Sequence, residues 1–410
     1  MATFVIVGGG LAGAKAAETL RAEGFDGEVV LFGEEQELPY ERPPLSKGIL
    51  LGKEAREKAF VHAADWYGEH NVDLRAGVTV TAIDHRAHTV TFTGSAGASG
   101  TLGYDELALT TGASARRISI PGADLGGVFY LRTITESEAL RTAFKPGTRV
   151  VIIGAGWIGL ETAAAARLAD SSVTVVEPQP GALYGALGPE LGGKFADLHR
   201  SHGVEFRFGE SATELRSAGE GVVGSVITSA GAELPADVVV VGIGAVPNDG
   251  LAKAAGLEVN NGVVTDAALR TSAPDVYAAG DVASSYLPLL GRHLRMDHWS
   301  NALNGGKAVA KSMLGQEMEY NRVPYFYSDQ YDLGMEALGL PLPGSYDQVV
   351  YRGNSDALEF IAFWLNEGRL IAGMNVNIWD VTGDIESLIR SGRVLDPARL
   401  TDPAVPLGEV

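Results

Sequence analysis

The chain has 410 residues, 46% of them hydrophobic and 20% charged, with a formal net charge of −19 and no cysteine. This is a globular composition long enough for two or three domains; the charge disfavours nucleic acid as a partner, and the missing cysteines exclude disulfide frameworks, thiolate metal sites, cysteine-held iron–sulfur clusters and dithiol redox centres. No apolar run reaches the ~18 residues of a membrane span, and the N-terminus carries no basic or cleavage-site segment, so a cytoplasmic protein without membrane contact is expected.

The first element is a buried-strand pattern, "TFVIV" (Thr3 to Val7), followed by Gly8, Gly10 and Gly13 in G-x-G-x-x-G spacing. A helix follows in "LAGAKAAETLRAEG", with Gly24 past its end, and then a second strand, "EVVLF" (Glu28 to Phe32). In this arrangement the first glycine permits a tight turn, the second lets the backbone approach a pyrophosphate, and the third lets helix pack on strand. The helix N-terminus offers free N–H groups to the phosphates. Glu34 lies 21 residues after Gly13, where a carboxylate can accept from a ribose hydroxyl. A proline-rich connection, "LPYERPPLSKG" (Leu38 to Gly48), carries Arg42 and Lys47, and a further strand with a glycine turn is read in "LALTTGA" (Leu107 to Ala113).

The same signature recurs in mid-chain. "RVVII" is the strand, Gly154, Gly156 and Gly159 form the turn, "LETAAAARLA" is the helix and "SVTVVE" the second strand, with Glu177 18 residues after Gly159. Two dinucleotide sites in one chain imply a relay, in which one nucleotide brings a hydride and the other stays bound and passes electrons on. Glu177 repels a 2′-phosphate and suits a ribose diol, and no Lys or Arg occurs between Leu168 and Gly193. The mid-chain site should therefore prefer NADH to NADPH.

Beyond it, "ADVVVVGIGAVPN" (Ala236 to Asn248) and "DVYAAGDVA" (Asp275 to Ala283) return the chain to the first unit. "HWSNALNGGKAVAKSML" predicts a helix starting near Asp297, with Gly315 past its end. The expected fold is α/β: two Rossmann-like dinucleotide-binding domains, the first split into 1–113 and 246–321 around an insert at 114–245. A small α+β domain closes the chain at 322–410. In it, "LEFIAFWL" and "LIAGMNVN" flank Asn366 to Arg369 as a β-hairpin, and "GDIESLIRSG" predicts a closing helix. Phe326, Tyr327 and Tyr331 at its entry read either as core or as a docking edge. The eight histidines show no metal-ligand spacing, and His199 and His202 of "HRSH" read as a solvated helix face. From spacing alone Lys47 and Glu161 read as solvated charges.

The paired fingerprints, together with "YERPPLSK", "YLRT", "VGIGAVPN", "YAAGDVA" and "MDHWSNALNGG", resemble the FAD-dependent, NADH-linked ferredoxin reductases of bacterial oxygenase systems, the putidaredoxin-reductase and biphenyl-dioxygenase-reductase group. The resemblance covers essentially the whole chain. It implies FAD at the first fingerprint, with Gly8, Gly10, Ala12, Gly13 and Glu34 along its pyrophosphate and ribose. Arg42 and Lys47 would lie on the flavin side, Val80 at the adenine, Arg132 and Asp281 at phosphate and ribityl groups, and Trp299 beside the isoalloxazine. It implies NAD at Gly154, Gly156, Ile158, Gly159, Glu177 and Gly244. Lys47 and Glu161 would meet as the catalytic pair near flavin N5. If the helix near Asp297 points its N-terminus at the flavin, its dipole would stabilise the reduced anion. Two positions depart from the family pattern: Thr110 to Gly112 replaces a commoner Ala-Thr-Gly, and Tyr184-Gly185 stands where an arginine is frequent, which also disfavours NADPH.

The expected partner is a [2Fe–2S] ferredoxin feeding a cytochrome P450 or Rieske-type oxygenase. An acidic ferredoxin clashes with the net charge, so a local basic patch is expected at Arg292, Arg295, Lys307 and Lys311. Thiol-dependent oxidases and disulfide reductases share both fingerprints but need a cysteine. Direct reduction of a quinone or other small acceptor stays open, as does an apoptosis-inducing-factor-like flavoprotein without enzymatic function.

Overall fold

The computed structural model describes residues 1–94, 97 and 99–410. These form two compact units, each assembled from separate stretches of chain. The first holds Met1–Arg42, Arg56–Ser114 and Ala245–Pro324; the second holds Pro43–Ala55, Ala115–Gly244 and Tyr325–Val410. The connection Pro43–Ala55, which lies inside the expected first domain 1–113, packs instead in the second unit. Ser137 Oγ donates to the Leu45 carbonyl there at 2.6 Å.

In the first unit a parallel sheet runs in the order Val276–Ala278, Glu106–Leu109, Thr3–Val7, Glu28–Gly33, Val72–Ala76. Apart from the edge strand Val72–Ala76, which alternates with Asp73 and Arg75, its strands are apolar on both faces because both are covered. Phe4, Ile6, Leu31 and Ala108 pack with Ala17, Leu20 and Val309. Val5, Val7, Val30 and Leu107 pack with Val80, Ile83 and Val90 of an antiparallel ribbon. The helices Leu11–Ala22 and Trp299–Met313 lie against each other, the second starting two residues later than the sequence suggests. Their approach depends on Gly306, where a Cβ would sit 2.3 Å from the Ala12 carbonyl oxygen.

The second unit repeats the plan. Its parallel sheet has the order Val204–Phe208, Ser172–Glu177, Arg149–Ile153, Val238–Val241, Val128–Phe129, with the helix Trp157–Leu168 after the central strand. This unit also holds a five-stranded antiparallel sheet ordered Tyr325–Gln330, Leu333–Gly339, Arg369–Val376, Glu359–Asn366, Gln348–Asn354. The expected hairpin is present, with Asn366 opposite Arg369 and positive φ at both Glu367 and Gly368, as a type I′ turn requires. The closing helix is Thr382–Ser391. Among the described residues no helix is long and apolar enough to cross a membrane.

The contact at Gly306 makes a direct prediction. Gly306→Ala forces a methyl group into main chain and is expected to cost about 1–3 kcal/mol in urea unfolding. An unchanged unfolding midpoint would show that the two helices do not need this close approach.

Candidate functional site

Both fingerprints fold into the same turn. Gly8 and Gly154 take positive φ, +126° and +105°, and a Cβ on either would lie 2.2 Å and 2.4 Å from a carbonyl oxygen of the neighbouring strand end, Thr110 and Gly242 respectively. The third glycines are closed from the other side: a Cβ on Gly13 or Gly159 would meet the Gly8 or Gly154 carbonyl oxygen at 2.1 Å. The middle glycines differ. Gly10 and Gly156 cap their helices in extended conformation with nothing within 4 Å of a Cβ. Each turn is thus packed tight on two sides and open on the third, where helix N–H groups face outward. That is the shape a pyrophosphate needs.

Around the first turn, Gly280 abuts Ala12, which brings the Asp281 turn beside the helix start. Arg42 is held by Glu35 at 2.8 Å and by the Tyr40 hydroxyl, which itself donates to Glu35 at 2.6 Å. Glu35 and Tyr40 were not singled out in the sequence, although they lie within seven residues of Arg42. Trp299 Nε1 donates to Glu41 at 3.0 Å, fixing the indole at the start of its helix. Glu34 is exposed just past the strand Glu28–Gly33, and Val80 lies on the ribbon strand Val78–Asp84. Arg132 belongs to the second unit, where its backbone N–H is bound by Glu136 at 2.9 Å as part of a helix cap.

Around the second turn, Glu177 accepts from the backbone N–H of Ala155 at 2.7 Å and of Gln179 at 2.8 Å. The carboxylate is pinned against the glycine turn by these bonds. Ile158 is 41% exposed at the helix start, an unusual place for a large apolar side chain, and Gly244 has open space beside it.

Lys47 and Glu161 meet. Lys47 Nζ lies 2.8 Å from Glu161 Oε1, and the Glu161 side chain is only 4% exposed. The reading of both as solvated charges is therefore corrected: Pro43–Ala55 folds onto the helix Trp157–Leu168, burying Glu161 and leaving Lys47 half-buried against it. Glu161 also accepts from Ser46 Oγ and, at 2.7 Å, from Ser328 Oγ. Lys47 Nζ lies 5.4 Å from the Tyr327 ring centre. Burial pushes the neighbouring Asp329 carboxyl up, against the pull of Lys47. Phe326 packs edge-on to Trp157, while Tyr331 stacks on His202. Ser46 and Ser328 carried no sequence signal, since Ser328 is 167 residues from Glu161.

Two further expectations change. His199 is fully buried, with Nε2 2.8 Å from Gln330 Oε1, because its helix, Tyr184–Ser201, turns this face inward; His202 alone is exposed. Arg295 is not an open cation: its side chain is 10% exposed and ion-paired with Asp297. Lys311 pairs with Glu23 at 3.4 Å, while Arg292 and Lys307 are exposed.

Burial drives the His199 imidazole down from 6.5 to about 4. The folded chain keeps it neutral, while the unfolded chain takes up a proton once the pH drops below 6.5, so stability falls as the pH descends toward 4. Between pH 7 and pH 5 this amounts to about 2 kcal/mol. His199→Gln keeps a donor without the titration, and its urea stability should fall by about 2 kcal/mol less over that interval. Parallel losses in the two proteins would exclude His199 as the source.

Comparison with known proteins places this geometry in a family. A model for pyridine nucleotide-disulphide oxidoreductases matches residues 2–306, and a reductase C-terminal model matches 325–410. The chain is 41% identical to the anthranilate 1,2-dioxygenase system ferredoxin–NAD(+) reductase component of Burkholderia cepacia over 98% of both chains. It is 35% identical to putidaredoxin reductase of Pseudomonas putida, covering 99% of this chain and 96% of that one. Among solved structures, the covalent putidaredoxin reductase–putidaredoxin complex matches with a TM-score of 0.94 at 35% identity, over 100% of this chain and 97% of that one. The ferredoxin reductase for the CYP199A2 system of Rhodopseudomonas palustris gives 0.94 at 34% identity, over 100% and 99%. The chain belongs to the pyridine nucleotide-disulphide oxidoreductase family, among the ferredoxin–NAD(+) reductases of oxygenase systems.

Proposed function

We propose that this protein is a ferredoxin reductase that takes a hydride from NADH onto bound FAD and passes electrons singly to a [2Fe–2S] ferredoxin serving an oxygenase. The observation that carries the reading is two intact dinucleotide cradles in a chain without a cysteine. When bound, the nicotinamide supplies a hydride and the flavin supplies one-electron exchange. FAD belongs at the Gly8–Gly13 turn, in the domain built from 1–113 and 246–321, less the connection Pro43–Ala55. NAD belongs at Gly154–Gly159, in the inserted domain 114–245, and 322–410 forms the third domain. The cytoplasm, where NADH is regenerated, is the compartment this reading requires.

The chain's residues bind and orient. The two helix N-termini hold pyrophosphates, and Glu177 takes the ribose diol while repelling a 2′-phosphate. Arg42, Val80, Asp281 and Trp299 hold the FAD, and Ile158 and Gly244 border the NAD. Lys47 and Glu161 form a neutral pair at the nicotinamide end, where they orient reacting groups. Hydride transfer needs no proton donor, so positioning and electrostatics carry the catalysis.

Purified protein with FAD and NADH should reduce cytochrome c rapidly only when a [2Fe–2S] ferredoxin is added. Rapid turnover with a quinone and no ferredoxin would instead favour direct reduction of a small acceptor, and a protein that cannot be loaded with flavin would sink the scheme. Arg292 and Lys307 are the open cations for an acidic ferredoxin, so Lys307→Glu should lower the ferredoxin-dependent rate and flatten its dependence on ionic strength; an unchanged rate and slope would remove them.

Coenzyme choice gives a separate test. Glu177→Ala should lower the kcat/KM preference for NADH over NADPH by about tenfold, by removing both the diol acceptor and the repulsion. An unmoved ratio would mean that discrimination lies elsewhere.

A further inference from the structure

Behind the Lys47–Glu161 pair runs a buried line of polar side chains that the reaction as described does not use. Ser328 Oγ lies 2.7 Å from Glu161 Oε1 and 3.1 Å from Gln330 Nε2. Gln330 Oε1 lies 2.8 Å from His199 Nε2, and His199 Nδ1 lies 3.3 Å from the Tyr331 hydroxyl. Ser328, Gln330 and His199 are each no more than 1% exposed. Two elements supply the line, the strand Tyr325–Gln330 with the residue after it and the helix Tyr184–Ser201.

The direction of every bond follows from one charge. A carboxylate paired with a lysine ammonium can only accept. Ser328 has a single proton and must give it to Glu161. Gln330 must then present its NH₂ to Ser328 and its carbonyl oxygen to His199. That oxygen only accepts, so Nε2 of His199 carries the hydrogen, Nδ1 keeps its lone pair, and the Tyr331 hydroxyl donates to it. The four bonds from Tyr331 to Glu161 all point the same way, and bonds aligned in this manner polarise and strengthen one another in a low-dielectric interior.

We propose that Ser328, Gln330 and His199 are positioning residues for the Lys47–Glu161 pair, a one-way chain of donors that holds the Glu161 carboxylate charged and turned toward Lys47. The inference rests on the reading of that pair as part of the nicotinamide site. The alignment explains why a glutamine and a neutral histidine stand in the interior: an apolar pair would pack as well but would leave Ser328 free to turn its proton away from Glu161. Lys47 and Asp329 face Glu161, and Glu336 faces Asp329. His202 and Tyr331 face His199, with Arg167 acting on Tyr331.

Two measurements decide the matter. The first uses the protein without cofactors, labelled with ¹⁵N-histidine. His199 should show the neutral Nε2–H tautomer, and Ser328→Ala, which frees the Gln330 amide to turn, should give a mixture of tautomers. The Nδ1–H tautomer in the wild-type protein would overturn the direction of the chain and the inference with it. The second follows the pH profile of flavin reduction by NADH in the loaded enzyme. Losing a donor to a carboxylate makes it easier to protonate, so the acid limb should move up by about 0.5–1 unit in Ser328→Ala and Gln330→Met and stay in place in Ser328→Thr. A role in packing alone would leave the limb unmoved. A protein that binds neither flavin nor NADH would overturn the functional reading; one that binds and reacts with an unmoved limb in both variants would overturn this inference alone.

Discussion

Glu161 is a carboxylate taken out of water, and much of the second unit is arranged to make that tolerable. Burying a lone carboxylate is prohibitive unless it is paired and its remaining lone pairs are filled. Here Lys47 supplies the charge, and Ser46 and Ser328 fill two further positions. Glu161 and these partners together come from three separate stretches of chain: the helix Trp157–Leu168, which carries Glu161, the connection Pro43–Ala55 and the antiparallel strand Tyr325–Gln330. Satisfying one side chain thus fixes the mutual placement of three elements inside this unit. Such a pair adds little net stability but penalises every arrangement that leaves it broken.

The two fingerprint turns show a different economy. Their first and third glycines are dictated by the protein's own backbone, since a side chain there would strike a carbonyl oxygen of a neighbouring strand or of the turn itself. Their middle glycines are not demanded by such a clash, because a side chain there would meet no neighbouring segment within 4 Å. Glycines that packing demands and glycines that leave open surface are therefore separable in the folded chain, though identical in the sequence. Glu177, tied to the backbone of the second turn, extends the same surface with a carboxylate of fixed position.

Charge is distributed with equal economy. The chain carries a net charge of −19, yet the cations expected to form one open patch are divided. Arg295 is consumed by Asp297 and Lys311 by Glu23, which leaves Arg292 and Lys307 facing solvent. A patch read as a run of positive letters overstates the field a partner meets, because neighbouring carboxylates neutralise part of it before any partner arrives.

The amino-acid sequence by itself determined the duplicated nucleotide-binding plan, the absence of thiol chemistry, the hairpin at Asn366 to Arg369 and, to within two residues at its start, the helix Trp299–Met313. Each is written in local periodicity, in glycine spacing or in a residue count, and needs no knowledge of distant partners. Only the tertiary structure decided the fate of the polar residues. Lys47 and Glu161 are 114 positions apart, Glu161 and Ser328 are 167 apart, and His199 and Gln330 are 131 apart. Nothing in the spacing of such residues says whether they meet or face water. A helix face carrying two histidines can turn one inward and one outward, and an arginine can be free or paired, according to what folds against it. Hydrophobic patterning is a property of each segment, whereas the satisfaction of a buried charge is a property of all the segments that surround it.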